Sequence, residues 1–597
     1  MMKKIRYFFV TCTVILASSC SLDLVQDPNA VQLNQVETNL ILNSIQRNFG
    51  AVFNTFSTRG MQFTRLQNSG GTLYNNVFTP QTFDGVWSTT YASILTDANQ
   101  LIKTADATGL TRHAGIARVI SAYMIVLLVD NFGDVPYSQA ILGTESLNPA
   151  ADKAQDLYVT ALRLLDESIV NFNTNSTVVP TNPPFTDLFY GLSPTSNFQP
   201  WRRAANTLKL KIFLNRRLVD PAGSTTGINA LIAGNELIRN SADNFVFRYG
   251  SNTVDPDNRH PRFTGNYLTG AGDYMANYLI WQMLYGYDAQ QNGAIGDPRI
   301  RFYFFRQVNA NSSNPNEIRC VTEATLPAHY PQLSGGTVLL GRGEAPPGIS
   351  TSPSNPAWGR TYCYPSGIGY WGRDHVDPQG IPPDGLLRSS WGVYPAGGRF
   401  DANNPAGLSG GASLGQRGAG FQPIMMQSFT EFMLAEAAIF LGTSGTAVTY
   451  FENGIRNSFN DVRAWAANGT FGVGPASPTE ATVSAFYPAA TYTTDVNNYV
   501  TAALAAYNAQ TDNRGRMNFV AREYWIALFG NGVEAYNLYR RTGLPSGMQP
   551  TISATPGSFP RLNWYPQNYA TLNSNATQRP NLATRVFWDT DQTNLDF

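Results

Sequence analysis

The stretch RHAGIARVISAYMIVLLVD at residues 112–130 decides the reading of the whole chain. Ile116, Val119, Ile120, Tyr123, Met124, Leu127 and Leu128 recur at steps of three and four. That period gives one wide apolar face, as an α-helix requires and a half-buried strand does not. Upstream, Trp87, Tyr91, Ile94, Leu95 and Ile102 follow the same spacing within residues 83–103, and Gly109 stands between the two segments where a helix would stop. The two are expected to pack as an antiparallel pair.

Outward from this pair the pattern repeats. Residues 152–172 carry Leu157, Tyr158, Leu162, Leu165, Ile169 and Phe172, and residues 202–219 carry Ala205, Leu208, Ile212 and Leu218. Later helices are expected over 429–441, where Ala435, Ala437 and Ala438 allow a close neighbour, and over 450–465, 494–507 and 517–539. The spacing predicts a mostly α-helical scaffold of tetratricopeptide-like pairs, although no repeat follows that consensus cleanly. The pairs fall in two groups, about 36–240 and 425–545, and the C-terminal 546–597 reads as irregular.

Between the groups, in a loop-rich span of about 250–425, residues 305–425 are a different kind of sequence. Gly, Pro, Asn and Ser are dense, with aromatics interleaved at Tyr330, Trp358, Tyr362, Tyr364, Tyr370, Trp371, Trp391 and Tyr394. A structureless loop of that length does not fit a compact domain. It is expected to be an irregular excursion of short strands and turns packed on the scaffold, so that residues 36–597 make a single domain.

The N-terminus sets the compartment. Lys3, Lys4 and Arg6 precede an apolar run at 7–16, too short to span a bilayer, and Ala17-Ser18-Ser19 offers the small residues of a cleavage site. Residues 1–19 read as a signal peptide. Cleavage would expose Cys20 as an acceptor for the acyl chains of a lipoprotein, and 20–35 would be a tether. Leu16 stands one place early for a lipoprotein signal, and ordinary cleavage would also leave Cys20 first. No later apolar run is expected to reach the roughly 20 residues of a membrane span. Of four cysteines, Cys320 and Cys363 remain beyond the signal region. In an exported protein they either bridge, which would add about 4 kcal/mol of stability, or stand as buried thiols. Their polar flanks favour the bridge.

Composition narrows function. Lys plus Arg equals Asp plus Glu at 41 each, and charged residues are only 14% of the chain. Nucleic acid and anionic membrane surfaces both need basic patches, so neither is an expected partner. Two GxSxG frames overlap at 407–415, but a nucleophile elbow needs an apolar strand before it and a helix after it, and the flanks are Gly-rich. The four histidines, His113, His260, His329 and His375, form no helical pair for a metal. Asp255-Pro256-Asp257-Asn258 lacks the Gly and distal Glu of an EF-hand loop. No catalytic residue, metal ligand or cofactor is expected.

Several strings carry a resemblance. LVDNFGDVPYSQA at 128–140, WRRAANTLKLKIFL at 201–214, GRDHVDPQGIPPD at 372–384 and GVYPAGGRFD at 392–401 come first in order. FTEFMLAEAA at 429–438, FGNGVEAYNLYRRTGLP at 529–545, FPRLNWYPQNYATLN at 559–573 and VFWD at 586–589 follow. Together they resemble the SusD/RagB family of nutrient-binding outer-membrane lipoproteins, and more closely its branch with the GRDH and YPAGG strings. The resemblance implies four tetratricopeptide-like pairs beneath a loop-rich face. It also implies a cell-surface lid on a SusC-like TonB-dependent transporter, presenting glycan or peptide for import.

Within these strings, Gly133 and Pro136 force a turn after the helix, where Asp130 and Asp134 are expected to accept backbone N–H groups. Arg540 and Arg541 end a helix before Gly543 and are expected to serve the scaffold there. His375 is expected either to hold loop backbone through Arg373 and Asp374 or to touch ligand. Trp87, Trp201 and Trp525 lie on helical faces and read as core. Aromatic faces and amides are what sugars and peptides bind. The candidate ligand- or transporter-facing residues are therefore Tyr74, Asn75, Asn76, Trp358, Tyr362, Tyr364, Tyr370, Trp371 and Trp391, with packing of the loops as the alternative role for each. The alternative of another class is a secreted glycan hydrolase with an unrecognised carboxylate pair.

Overall fold

Helix α1 (Thr38–Phe63) buries Ile41, Leu42, Ile45, Phe49, Val52, Phe53 and Phe56, which fall on one face at helical spacing. The computed structural model describes residues 37–597 apart from 70–72, 143–144, 175–177, 179–184, 271, 286, 288–295, 311–367, 378–386, 469–479, 591–594 and 596–597. The signal peptide, Cys20 and the tether lie outside the described residues, as do Cys320, Cys363, His329, Trp358, Tyr362 and Tyr364.

A run of helical turns from Pro80 passes through a π-helical stretch at Thr89–Leu95 into α2 (Thr96–Thr108), which ends at Gly109 with φ +75°. Helix α3 (Thr111–Phe132) ends at Gly133 with φ +71°. The one-faced pattern expected for α3 understates it: every residue from Arg112 to Phe132 is buried. At 22 residues and mean hydropathy 1.6 it is also long and apolar enough to cross a membrane, contrary to the expectation that no such run follows the signal. Its most apolar window is wholly enclosed, with α1, α2, α4 (Ala154–Asn173) and α5 (Gln199–Arg216) packed against the helix. Helix α3 is the core of the scaffold.

Helix α6 (Pro221–Gly234) completes the first group, its start capped by the Asp220 side chain, which accepts from Gly223 N. Helix α7 (Asn277–Tyr285) lies inside the stretch read as loop-rich. The second group comprises α8 (Gln427–Leu441), α9 (Ala447–Asn468), α10 (Ala489–Asn508), α11 (Asn513–Ala527) and α12 (Gly532–Thr542). The expected single helix over 517–539 is therefore two. Gly530 at φ +97° turns the chain, and Asn531 caps α12 by accepting from Glu534 N at 3.1 Å.

The pairs α3–α4 and α8–α9 pack most closely, and α12 lies against α1, joining the two ends of the scaffold. That crossing depends on glycine. A Cβ on Gly60 would stand 1.9 Å from the carbonyl oxygen of Gly532.

Strands β1 (Phe245–Arg248), β2 (Phe304–Phe305), β3 (Ser390–Trp391) and β4 (Phe421–Met425) make two antiparallel ribbons, β1–β4 and β2–β3. β1 and β4 pair where the chain leaves the first helical group and where it rejoins the second. The irregular excursion is thus clamped at its neck.

Buried charges tie the groups together. Asp130 accepts from Tyr158 Oη, Lys211 Nζ at 3.1 Å, Asn537 Nδ2 at 2.7 Å and Trp588 Nε1 at 3.0 Å. Lys211 also pairs with Glu534 at 3.1 Å. Asp130 therefore receives side chains, not the backbone N–H groups expected at its turn, because α4, α5, α12 and the C-terminal segment converge on it. Arg540 donates to the carbonyl oxygens of Asp130 and Arg561, and Arg541 pairs with Glu436, which also holds Arg217. Both arginines serve the scaffold.

Candidate functional site

On the loop-rich face three distant segments meet edge to edge. Asn68 N donates to Tyr274 O at 3.0 Å, Arg373 N to Met275 O at 2.8 Å, and Asn277 N to Arg373 O at 2.8 Å. The approach is close enough that a Cβ on Gly372 would lie 2.0 Å from Met275 O, so only glycine fits there.

The half-buried ring of Tyr274 is held between two cations. The guanidinium of Arg373 lies 3.9 Å from its centroid and that of Arg388 lies 3.7 Å away. Arg373 also donates to Tyr274 Oη at 3.0 Å, and Arg388 Nε to the carbonyl of Asp273 at 3.1 Å.

Asp273 anchors the next layer. It accepts from Gln67 Nε2, Arg262 NH1, Asn266 Nδ2 and Trp391 Nε1, at 2.9 to 3.1 Å. Burial alone would raise its pKa. The Arg262 charge and the donated hydrogen bonds outweigh that and hold the carboxyl below its ordinary range.

Beside this cluster, Tyr74 Oη and His375 Nε2 are 2.6 Å apart, and Tyr74 N donates to Pro556 O at 2.9 Å. His375 is buried, which lowers its pKa well below the usual imidazole value. Its backbone N–H donates to Gln549 Oε1, and Gln549 Nε2 donates to Asp374 at 2.6 Å. The GRDH string therefore organises loop backbone, as expected.

The nominated ligand residues divide. Asn75 and Asn76 are exposed on the short helical turn Tyr74–Val77. Tyr74, Tyr370, Trp371 and Trp391 are each 3% exposed or less, so none presents a ring face to solvent, in line with the loop-packing reading of these residues. Their rings pack the loops instead. Trp391 stacks on Phe529 at 4.6 Å, and Tyr370 donates to Asp401 while Arg306 covers its ring at 4.7 Å. Trp358, Tyr362 and Tyr364 lie outside the described residues. Sequence reasoning misses Tyr274 and Arg388. The aromatic in GAGDYMAN is visible, but its two cations come from about a hundred residues further on.

Enzyme motifs find no supporting frame. The Gly-rich tract at 407–415 holds a 3-10 turn at Gly411–Ser413 in place of a strand-to-helix elbow. Asp257 is engaged by Arg259 in a bidentate pair. Among the described residues no group of three metal-ligating side chains converges. His113 is held by Asn39 at 2.6 Å, and His260 caps the backbone by accepting from Arg262 N.

A carboxyl with a strongly raised pKa sits deep in the scaffold instead. Burial pushes Asp461 up to about 7, against hydrogen bonds from Asn244 and Gln427 that favour its charged form. In the unfolded chain the group titrates near 3.9. Its contribution to stability is thus fully present below about pH 4 and is lost as pH rises through about 7, a swing on the order of 4 kcal/mol. Asp461→Asn removes that dependence. Thermal melts at pH 5 and pH 8 are expected to show the variant gaining on the native chain at the higher pH; a difference independent of pH would refute the assignment.

Residues 23–323 match a family model described as "Starch-binding associating with outer membrane", and residues 421–589 match one described as "Susd and RagB outer membrane lipoprotein". No curated protein matches the chain. A solved SusD homolog from Bacteroides fragilis superposes with TM-score 0.60 at 19% identity, covering 93% of this chain and 99% of that one. A SusD/RagB family protein from Bacteroides thetaiotaomicron gives TM-score 0.60 at 16% identity, covering 94% and 100%. A chitin-binding SusD homolog from Flavobacterium johnsoniae gives 0.57 at 17% identity, covering 93% and 100%.

Proposed function

Because the chain belongs to the SusD/RagB family of nutrient-binding outer-membrane proteins, we propose that it is a lipid-anchored, outward-facing lid that captures glycan or peptide and passes it to a SusC-like TonB-dependent transporter. Cys20 carries the lipid, and residues 36–597 act as one SusD-like domain on the tether at 20–35. The observation that carries the reading is the family match to both helical groups, with the loop-rich face held above them. The chitin-binding description of the Flavobacterium johnsoniae neighbour makes chito-oligosaccharides the first probes.

Ligand contact falls to the rim of that face, where Asn75 and Asn76 lie exposed next to Tyr74, which meets His375. The hydrolase alternative has less support there: Asp273 is held low by Arg262, whereas a glycosidase acid needs its pKa raised. Asn75→Ala with Asn76→Ala is expected to leave the melting temperature unchanged and to weaken ligand about tenfold. That is the loss of two hydrogen bonds at about 0.5–1.5 kcal/mol each. Calorimetry with chito-oligosaccharides and a peptide library reads the effect, and unchanged affinity removes both amides from the site. Affinity purification of the tagged chain from its own membranes is expected to bring down a large β-barrel transporter. Recovery of the chain alone would count against the lid.

A further inference from the structure

Away from the loop-rich face, a cavity of about 310 Å³ lies where the end of α3 and the start of α4 meet the C-terminal segment. Two guanidiniums line it, Arg579 and Arg585, against one carboxylate, Asp134. Asp134 is already engaged. Its Oδ1 accepts from Ala154 N at 2.9 Å, at the first turn of α4, and its Oδ2 pairs with Lys153 at 2.9 Å.

Arg579 is only 8% exposed. It donates from NH2 to the carbonyl oxygen of Phe132 at 2.7 Å and lies 4.2 Å over the ring of Tyr565. Among the described residues its Nε–H has no acceptor and no carboxylate pairs with it. A guanidinium taken out of water without its own counter-ion is costly, and burial lowers its pKa accordingly. Arg585 is exposed, and Leu562, Val586 and Phe587 supply apolar wall.

We propose that this cavity binds the carboxylate of a small organic acid, anchored by Arg579 and steered by Arg585, with the body of the acid against the apolar wall. The planar guanidinium fork matches a carboxylate better than it matches a neutral hydroxyl. The volume admits a ligand of about the size of a single sugar ring or a short acyl amino acid. Its lining includes no residue of 250–425, and the proposal does not depend on the function proposed for that face.

Titration calorimetry on the full mature chain tests the proposal, with D-glucuronate and N-acetylphenylalanine as the two sources of the carboxylate. Glucose and N-acetylphenylalanine amide are their neutral counterparts. Saturable binding of either acid at least tenfold tighter than its counterpart is expected, and the acid that binds identifies the source. Arg585→Ala changes an exposed side chain and is expected to weaken that acid at least threefold, while Arg579→Lys, which keeps the charge but removes the fork, weakens it about tenfold. Absence of binding by both acids and by acetate up to about 10 mM would overturn the site. So would affinity that both folded variants leave unchanged.

Discussion

Asp130→Ala is expected to destabilise the chain by more than about 4 kcal/mol, enough to abolish most of the folded yield. Asp130 is fully buried and serves four donors from four parts of the chain. Removing one member of a buried ion pair costs about 3–5 kcal/mol, because the partner charge stays behind uncompensated. Here Lys211 keeps Glu534, which softens the loss, but Tyr158, Asn537 and Trp588 lose their acceptor, and each orphaned donor adds about 1–3 kcal/mol. Native domains have only about 5–15 kcal/mol in total. Asp130→Asn, which keeps the shape and some acceptor capacity, should fall between. Denaturant unfolding decides the matter, and an alanine variant within about 1 kcal/mol of the native chain would show that the network is not structural.

The second large effect is steric. Gly532→Ala would place a Cβ 2.0 Å from both Met61 N and Ser57 O, and Gly60→Ala meets Gly532 O at 1.9 Å. These neighbours are backbone, so no side chain can rotate away, and α1 and α12 must separate. Separation would break the bonds that Ser57 makes, to Gly530 O at 2.7 Å and from Gly532 N at 3.0 Å. A loss of about 3 kcal/mol or more is expected for either substitution, at the upper end of overpacking costs. Gly234→Ala is the control. A Cβ there meets nothing within 4 Å, and Ala at the end of α6 should be neutral or slightly stabilising. Equal melting temperatures for Gly532→Ala and Gly234→Ala would contradict the crossing.

The helical scaffold was legible because burial writes itself into the sequence at a fixed period. Ile116 to Leu128 marked α3, and Gly109 and Gly133 marked its limits. What the period could not show is that α3 is enclosed on every side, since that depends on which helices surround it. The break inside 517–539 was missed because Leu528 and Phe529 keep the apolar spacing up to the point where Gly530 turns.

The face above the scaffold was far less legible. An aromatic among glycines and prolines reads the same whether its ring is open to ligand or closes a loop. Trp391 and Trp371 turned out to be closed, Trp391 by Phe529 from the far end of the chain. The Arg373–Tyr274–Arg388 sandwich forms between residues whose proximity only the folded chain creates. Asn75 and Asn76 are exposed on a short turn whose one buried residue is Tyr74.

Whether the molecule grips cargo without altering it is best decided by one experiment on the purified mature chain. It is incubated with a panel of chito-oligosaccharides, other neutral glycans and peptides, bound ligand is measured at equilibrium, and the mass of every ligand is read again after prolonged contact. Saturable binding of at least one glycan or peptide, recovered at its original mass, is the predicted result. Shortened products accumulating beyond one equivalent of protein, or no binding by any member of the panel, would contradict it.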